Sequence, residues 1–226
     1  GTILGFAGRL LSQNQKEAPL RPAKRGFEGQ AKYINSPETP IFTKGNLLFG
    51  LDVARSAIRE ANEVVLVEGE FDVLSSYKAG ITNVVASKGT ALTQMQVATL
   101  ARLCEKVILC FDADLAGDAA ARRGIELLDI AGMTIRVAVL GKYKDPDEMA
   151  QKDPKGFRAA IKVGVDIYDY FIDSAASRYS PKTAVGKRKI GQEVLPILAK
   201  ISDDLVRAHY ISKLSSVLDL ETGLIA

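Results

Sequence analysis

The chain has 226 residues, 47% of them hydrophobic, and its 30 basic and 27 acidic side chains leave a formal net charge of +3 at pH 7. This length and apolar content predict a globular protein with a substantial core, and the lack of any run of about 20 apolar residues excludes a membrane-spanning helix and favours a cytoplasmic protein. Two cysteines and one histidine exclude an ordinary four-ligand zinc site and a disulfide framework.

The predicted elements alternate between strands and helices through the middle of the chain. The first 50 residues contain many turn-forming residues and favour a short strand only near 3–11. After a predicted helix at 52–61, strands are predicted at 64–67, 83–86, 106–111 and 135–140, and helices near 70–79, 93–103 and 116–131. This alternation predicts the α/β fold class, with a mostly parallel sheet flanked by helices.

The last third of the chain is predicted to be helical. Helices are expected near 146–152, 154–162, 165–178, 183–200 and 203–218. No β-rich segment is predicted after Leu140. Within the alternating region, Thr93 is the expected N-cap of a helix, and Gly80 and Gly132 stand where helix C-termini favour glycine.

Acidic side chains follow three of the predicted strands. The strands lead into Glu68, into Asp112 and Asp114, and into a loop with Asp145 and Asp147. Because the carboxyl ends of parallel strands form one edge of a sheet, we expect these side chains to converge. Two carboxylates about 4 Å apart repel by about 1 kcal/mol in water and by several times more where solvent is partly excluded, so the cluster needs a cation. Oxygen ligands without His or Cys suit Mg²⁺ or Mn²⁺, and this predicts metal-assisted phosphoryl transfer.

Each acidic motif alone has a simpler explanation. Acids at strand ends and helix N-termini often serve as caps or interact with the helix dipole. The run Asp145-Pro146-Asp147 alone predicts a turn followed by a helix start. Glu70 is a weaker candidate for the same reason, and Asp118 is weaker because it lies inside the predicted helix at 116–131, where an exposed acid is ordinary. The expected convergence of three motifs at one edge favours a metal site over these local explanations.

Several of these motifs resemble a known family. VEGEFD at 67–72, FDADLAG at 111–117 and DPD at 145–147 resemble the Toprim domain shared by primases, topoisomerases and some nucleases. KYINSPETPIFTKG at 32–45 and ASKGTALT at 86–93 are similar to the catalytic core of bacterial DnaG-type primases. The chain departs from the family pattern in two places. Many relatives have Leu where this chain has Lys88, and the family usually has an aromatic or methionine pair where this chain has Glu70-Phe71.

The resemblance implies a role for particular residues. Glu68 is the expected central acid, Asp112 and Asp114 are expected to hold the metals, and these three are the expected catalytic residues. The acidic site is completed by Asp72, Asp145 and Asp147. The residues expected to bind nucleic acid or nucleotide are Arg9, Lys32, Asn35, Lys44 and Lys88. The implied cofactors are Mg²⁺ or Mn²⁺, the substrates are ribonucleoside triphosphates, and no zinc is expected in this chain.

The resemblance also implies a domain organisation and partners. We expect a partial N-terminal α+β subdomain at 1–61, a Toprim domain at 62–162 and a helical subdomain at 163–226. The implied partners are a single-stranded DNA template, the RNA primer and a replicative helicase bound through a domain absent from this chain. The zinc-binding domain and the first half of the polymerase core are also expected to be absent. We therefore expect a monomeric, replisome-associated bacterial primase segment that is weak or inactive alone.

Three other functions remain open from the sequence. A metal-dependent Toprim nuclease would use the same acids to hydrolyse phosphodiesters, although the segment at 32–45 argues against it. A type IA topoisomerase is less favoured, because none of the seven tyrosines has a context that suits strand cleavage. A non-catalytic module that binds metal or nucleic acid is the third alternative, and it predicts metal-induced stabilisation without turnover.

Overall fold

The computed structural model of the chain describes residues 3, 5–9, 33–88, 92–111 and 119–224. The chain divides into two units, Gly1–Lys44 and Gly45–Ala226. In the first unit, strand β1 (Ala7–Arg9) pairs antiparallel with β2 (Tyr33–Asn35). Beside this pair, a Cβ atom on Gly5 would lie 2.7 Å from the ring of Phe42, so only glycine lets the backbone pass so close to this buried ring.

The second unit contains the α/β fold predicted from the sequence. Its elements in chain order are α1 (Leu51–Ala61), β3 (Glu63–Val67), α2 (Glu70–Lys78), β4 (Val84–Ala86), α3 (Gln94–Ala101), β5 (Lys106–Leu109), α4 (Ala119–Ile130), β6 (Thr134–Val137), α5 (Pro146–Lys152), α6 (Pro154–Val163), β7 (Val165–Asp166), α7 (Ile167–Arg178), α8 (Ala184–Leu198) and α9 (Asp204–Leu218). The sheet has the order β4-β3-β5-β6-β7. The pairs β4-β3, β3-β5 and β5-β6 are parallel, and β7 is antiparallel to β6.

The central strands of the sheet are buried on both faces, which explains why Val64–Val67 of β3 and the whole of β4 are continuous apolar runs. Val64 and Leu66 of β3 pack into one core cluster, and Val65 and Val67 pack into the other. All four side chains are fully buried. The first cluster also includes Phe171 of α7, together with apolar residues of α8 and α9. The C-terminal helices therefore share a hydrophobic core with the sheet.

The expected helix ends are confirmed. Thr93 accepts a hydrogen bond from the backbone N–H of Gln96 at 3.2 Å, and the Gln96 side chain accepts one from the Thr93 N–H at 3.0 Å, which forms a capping box. Gly80 and Gly132 have φ of 93° and 72°, the left-handed conformation that glycine adopts without strain.

After Leu140 the chain is helical as predicted, apart from one short strand. Strand β7 covers only Val165–Asp166, and it forms because Val165 pairs with Val137 of β6. Two residues cannot show the alternation by which a strand is recognised in sequence.

The boundaries proposed for the three domains stay predictions. Among the described residues, no helix combines the length and apolar character needed to cross a bilayer.

Candidate functional site

The parallel strands end together at one edge of the sheet. Val67 at the end of β3 is level with Ala86 at the end of β4, and the N–H of Ser87 donates to the carbonyl of Val67 at 3.2 Å. On the other side of β3, the N–H of Cys110 donates to the carbonyl of Leu66 at 2.9 Å. Glu68 directly follows β3 and is half-buried at this edge.

Asp72 joins two helices at this edge. It lies in the first turn of α2, where one carboxylate oxygen accepts a hydrogen bond from the N–H of Gly69 at 3.0 Å. Its other oxygen accepts from the N–H of Asp147, in the first turn of α5, at 3.2 Å. A Cβ atom on Gly69 would lie 3.1 Å from the first of these oxygens, so glycine allows this close approach of the carboxylate. Asp72 therefore fixes the start of α2 and links it to α5.

Asp145 and Asp147 lie at the start of α5. Asp145 is the N-cap, and its side chain accepts from the N–H of Glu148 at 2.7 Å, with Pro146 as the first helical residue. The ammonium of Lys144 lies 3.2 Å from the other oxygen of Asp145. The hydrogen bond from Lys144 to Asp145 is the main cause that raises the pKa of Lys144, and the negative charge of Asp145 is the second cause. The local explanation of this motif, a turn followed by a helix start, is therefore confirmed for Asp145.

Asp147 has partners that the sequence patterns did not indicate. One oxygen of Asp147 accepts hydrogen bonds from the hydroxyl of Ser75 in α2 and, at 2.7 Å, from the side-chain amide of Gln151. Together with the bond from the Asp147 N–H to Asp72, the bond from Ser75 holds α2 against the start of α5, while the bond from Gln151 lies within α5. The structure thus brings Asp72 and Asp147 together.

The metal site predicted at this edge is described only in part. Asp112 and Asp114 lie outside the described residues. Within the residues that the structure does describe, no group of three or more His, Cys, Asp or Glu side chains is arranged to hold a metal ion. The predicted ligands present, Glu68, Asp72 and Asp147 among them, are all carboxylates. That donor chemistry fits Mg²⁺ or Mn²⁺ and does not resemble a zinc site.

Lys88 lies at the same edge and is paired with an acid. It follows β4, has a left-handed backbone with φ of 67°, and places its ammonium 3.2 Å from a carboxylate oxygen of Glu70. The two side chains are 13% and 25% exposed. The local sequence does not indicate that these two residues are paired, although both depart from the family pattern.

The other predicted basic and polar positions belong to the first unit. Arg9 ends β1 and Asn35 ends β2, while Lys44 begins a short 3-10 turn at Lys44–Asn46. Nothing is described of Lys32 or of the Arg9 side chain. The roles of these residues stay predictions.

Comparison with known proteins identifies three matching family models. They are described as "DNA primase catalytic core, N-terminal domain" at residues 1–55, "Toprim-like" at residues 65–150 and "DnaB-helicase binding domain of primase" at residues 168–222. The third match corrects the expectation that a helicase-binding domain is absent from this chain. Helical periodicity in 165–218 predicted helices correctly, but periodicity alone contains no information about a partner.

Curated relatives and solved structures agree with these matches. The DNA primase of Clostridium acetobutylicum is 36% identical over 217 residues, which are 95% of this chain and 33% of that protein. The DNA primase of Deinococcus radiodurans is 37% identical over 198 residues, 87% of this chain and 32% of that protein. The chain therefore spans about a third of the length of the curated relatives it matches.

The structural neighbours are primase domains. A DNA primase domain from Pseudomonas aeruginosa is 32% identical with a TM-score of 0.74, and the match covers 99% of this chain and 68% of that chain. A DnaG primase catalytic domain bound to single-stranded DNA is 28% identical with a TM-score of 0.72, and the match covers 98% of this chain and 67% of that chain.

Proposed function

We propose that this chain, which belongs to the DnaG-type DNA primase family, supplies the acidic site with which a primase makes short RNA primers on single-stranded DNA. The observation that supports this most directly is the joining of α2 and α5 through Asp72 and Asp147 at the edge where Glu68 follows the parallel strand β3. That edge lies within the Toprim-like match. A Toprim domain implies divalent metal binding, and the all-carboxylate donors fit Mg²⁺ or Mn²⁺.

The reaction is the attack of a ribonucleotide 3′-hydroxyl on the α-phosphorus of a nucleoside triphosphate. A new phosphorus–oxygen bond forms, the bond to pyrophosphate breaks, and the hydroxyl proton is released. Glu68, Asp112 and Asp114 would hold the divalent cation. When bound, the cation lowers the pKa of the attacking hydroxyl and neutralises charge that develops on the phosphate.

The other acids support this site. Asp72, Asp145 and Asp147 complete its negative potential, while their hydrogen bonds to backbone and side-chain donors keep them in place. A carboxylate oxygen has two lone pairs, so an oxygen that accepts one N–H can still face a cation or an ordered water. Glu68 is also a candidate general base for the hydroxyl proton, although the reaction does not require one.

The basic and polar residues would bind the template, the primer or the incoming triphosphate. These are Arg9, Lys32, Asn35 and Lys44; Lys88, which was predicted with them, has its ammonium paired with Glu70 at 3.2 Å. Because contacts between cations and phosphates release counterions, affinity for single-stranded DNA should fall steeply as the salt concentration rises. The whole enzyme would act as a monomer in the bacterial cytoplasm at the replication fork.

The helices within 168–222 would contact the replicative helicase, since that segment matches the model of a helicase-binding domain. Sedimentation of this chain with and without the helicase tests this assignment. A faster-sedimenting complex supports it, and two independent boundaries contradict it.

Primer synthesis tests the catalytic proposal. The assay supplies single-stranded DNA, labelled ribonucleotides and Mg²⁺ or Mn²⁺ to this chain and to a form extended at its N-terminus to the length of the relatives. The extended form should make short RNA, and this chain alone should make little or none. Glu68→Gln should abolish synthesis, whereas Glu60→Gln, a change at an exposed acid of α1, should leave it intact.

Each alternative gives a different result. Loss of the DNA with metal and without ribonucleotides would replace the primase proposal with a nuclease. Metal-induced stabilisation with neither RNA synthesis nor DNA loss would favour a binding module. RNA synthesis that survives Glu68→Gln would refute the role of the acidic edge.

A further inference from the structure

The ion pair between Glu70 and Lys88 occupies a specific place beside the proposed metal site. Val67 and Ala86 are level across the parallel pair, and the N–H of Ser87 bonds to the carbonyl of Val67. Lys88 is therefore the second residue beyond the end of β4, at the edge where Glu68 and Gly69 follow β3. Glu70 begins α2 and is two residues from Glu68.

Both partners of this pair are largely withdrawn from solvent. Their side chains are 13% and 25% exposed, and the ammonium and the carboxylate oxygen are 3.2 Å apart. A charged ammonium that has lost most of its water needs a nearby acceptor of opposite charge, and a charged carboxylate needs a nearby donor of opposite charge. Lys88 also has a left-handed backbone, which is unfavourable for a residue with a Cβ atom. Burial, the short distance and the backbone of Lys88 thus all hold the two side chains together.

The charge of Glu70 has a direct consequence for a cation bound nearby. An unpaired Glu70 would add one negative charge to an edge that already has Glu68, Asp72 and Asp147, and its carboxylate would be a further oxygen donor. Paired with Lys88, it contributes no net charge, and its oxygen is held by the ammonium.

We propose that Lys88 and Glu70 form a charge-compensating pair that sets the affinity of the acidic site for its divalent cation. Lys88 cancels the charge of Glu70 and keeps its carboxylate out of the set of metal ligands. Both are positioning residues for the site. The proposal rests on the proposed metal site, and it adds that two residues outside the ligand set determine how tightly the cation binds.

The test is a titration of the chain with Mn²⁺, in which free Mn²⁺ is measured by electron paramagnetic resonance. Lys88→Met leaves Glu70 uncompensated, so the Kd should fall by about tenfold. Glu70→Gln leaves Lys88 uncompensated, so the Kd should rise by about tenfold. The expected tenfold change in Kd is the effect of one unit charge on a divalent cation that lies within a Debye length in partly solvated surroundings. The double variant should return to within about twofold of the wild type, because the two charges are removed together.

Controls separate this effect from misfolding. Lys213→Met breaks the ion pair of Lys213 with Asp169, whose atoms are 2.7 Å apart on α9 and α7, and should leave the Kd for Mn²⁺ unchanged. Circular dichroism of each variant checks that the fold is retained. A purely structural role for the Glu70–Lys88 pair would weaken Mn²⁺ binding in both single variants.

The outcomes distinguish the two proposals. If Glu68→Gln weakens Mn²⁺ binding but the two single variants shift the Kd in the same direction or not at all, the compensating pair is refuted and the metal site stands. If wild-type protein binds no Mn²⁺, or Glu68→Gln changes nothing, both proposals fail.

Discussion

Removing the carboxylate of Asp72 should destabilise the chain even when no metal is present. Asp72→Ala deletes two hydrogen bonds, one to the N–H of Gly69 at 3.0 Å and one to the N–H of Asp147 at 3.2 Å. Losing the capping contribution at the start of α2 costs about 1 kcal/mol. Losing a charged acceptor for the second, partly buried N–H costs about another 1.5 kcal/mol. The free energy of unfolding should fall by about 2–3 kcal/mol, which lowers the Tm by roughly 5–10 °C in a protein of this size.

Urea denaturation followed by circular dichroism in EDTA measures this effect without any contribution from metal ligation. Asp72→Asn should cost about half as much, because the amide keeps one acceptor oxygen but presents an N–H to the other donor. Asp52→Ala is the matched control, since this exposed acid in the first turn of α1 interacts mainly with the helix dipole. A loss below about 0.5 kcal/mol for Asp72→Ala would refute the view that this side chain joins α2 to α5.

Two further predictions concern groups away from the acidic edge. Burial raises the pKa of the Cys104 thiol to about 11 from 9.0. As the pH rises, the unfolded chain therefore loses this proton before the folded chain does, and the urea midpoint should decline between about pH 9 and 11. Cys104→Ala should show a smaller decline, and a decline identical to that of the wild type would contradict the assignment to Cys104. The hydroxyl of Tyr168 donates to Asp129 at 2.8 Å, and another oxygen of Asp129 accepts from the N–H of Ser202 at 2.7 Å. Tyr168→Phe should therefore lower the free energy of unfolding by about 1–2 kcal/mol, measured by urea denaturation, and Asp129→Ala should lower it further; equal losses would show that the bond to Ser202 adds nothing.

The sheet was predictable because its central strands are buried on both faces. Alternate residues of β3 enter opposite core clusters, so the whole segment from Val64 to Val67 is apolar and β-branched or leucine. That run is visible without knowing which strands are neighbours. The position of β7 was not predictable in this way, because a two-residue strand exists only through its pairing with β6. Its signal lies in a partner almost 30 residues away, and local periodicity cannot report it.

The same distinction applies to the acidic edge. The expected acids that follow a strand or cap a helix, such as Glu68 and Asp145, could be found from their local sequence. The contacts that hold Asp147 could not, since Ser75 is 72 positions away and only the packing of α2 on α5 brings it close. Nor could the pairing of Glu70 with Lys88, which depends on β4 lying next to β3.

The hydrogen bonds at this edge also explain how several carboxylates are tolerated together. Helices α2 and α5 both begin here, so the partial positive charge of their N-termini faces the acids. The first backbone N–H groups of a helix have no acceptor within the helix, so they are available to the acids as donors. Asp72 and Asp145 accept from those N–H groups. Lys88 offsets Glu70, as Lys144 offsets Asp145. Much of the repulsion is thus balanced by the fold itself. In the proposed metal site, these acids would be fixed in position before a cation binds, so less of its binding energy would be needed to order them.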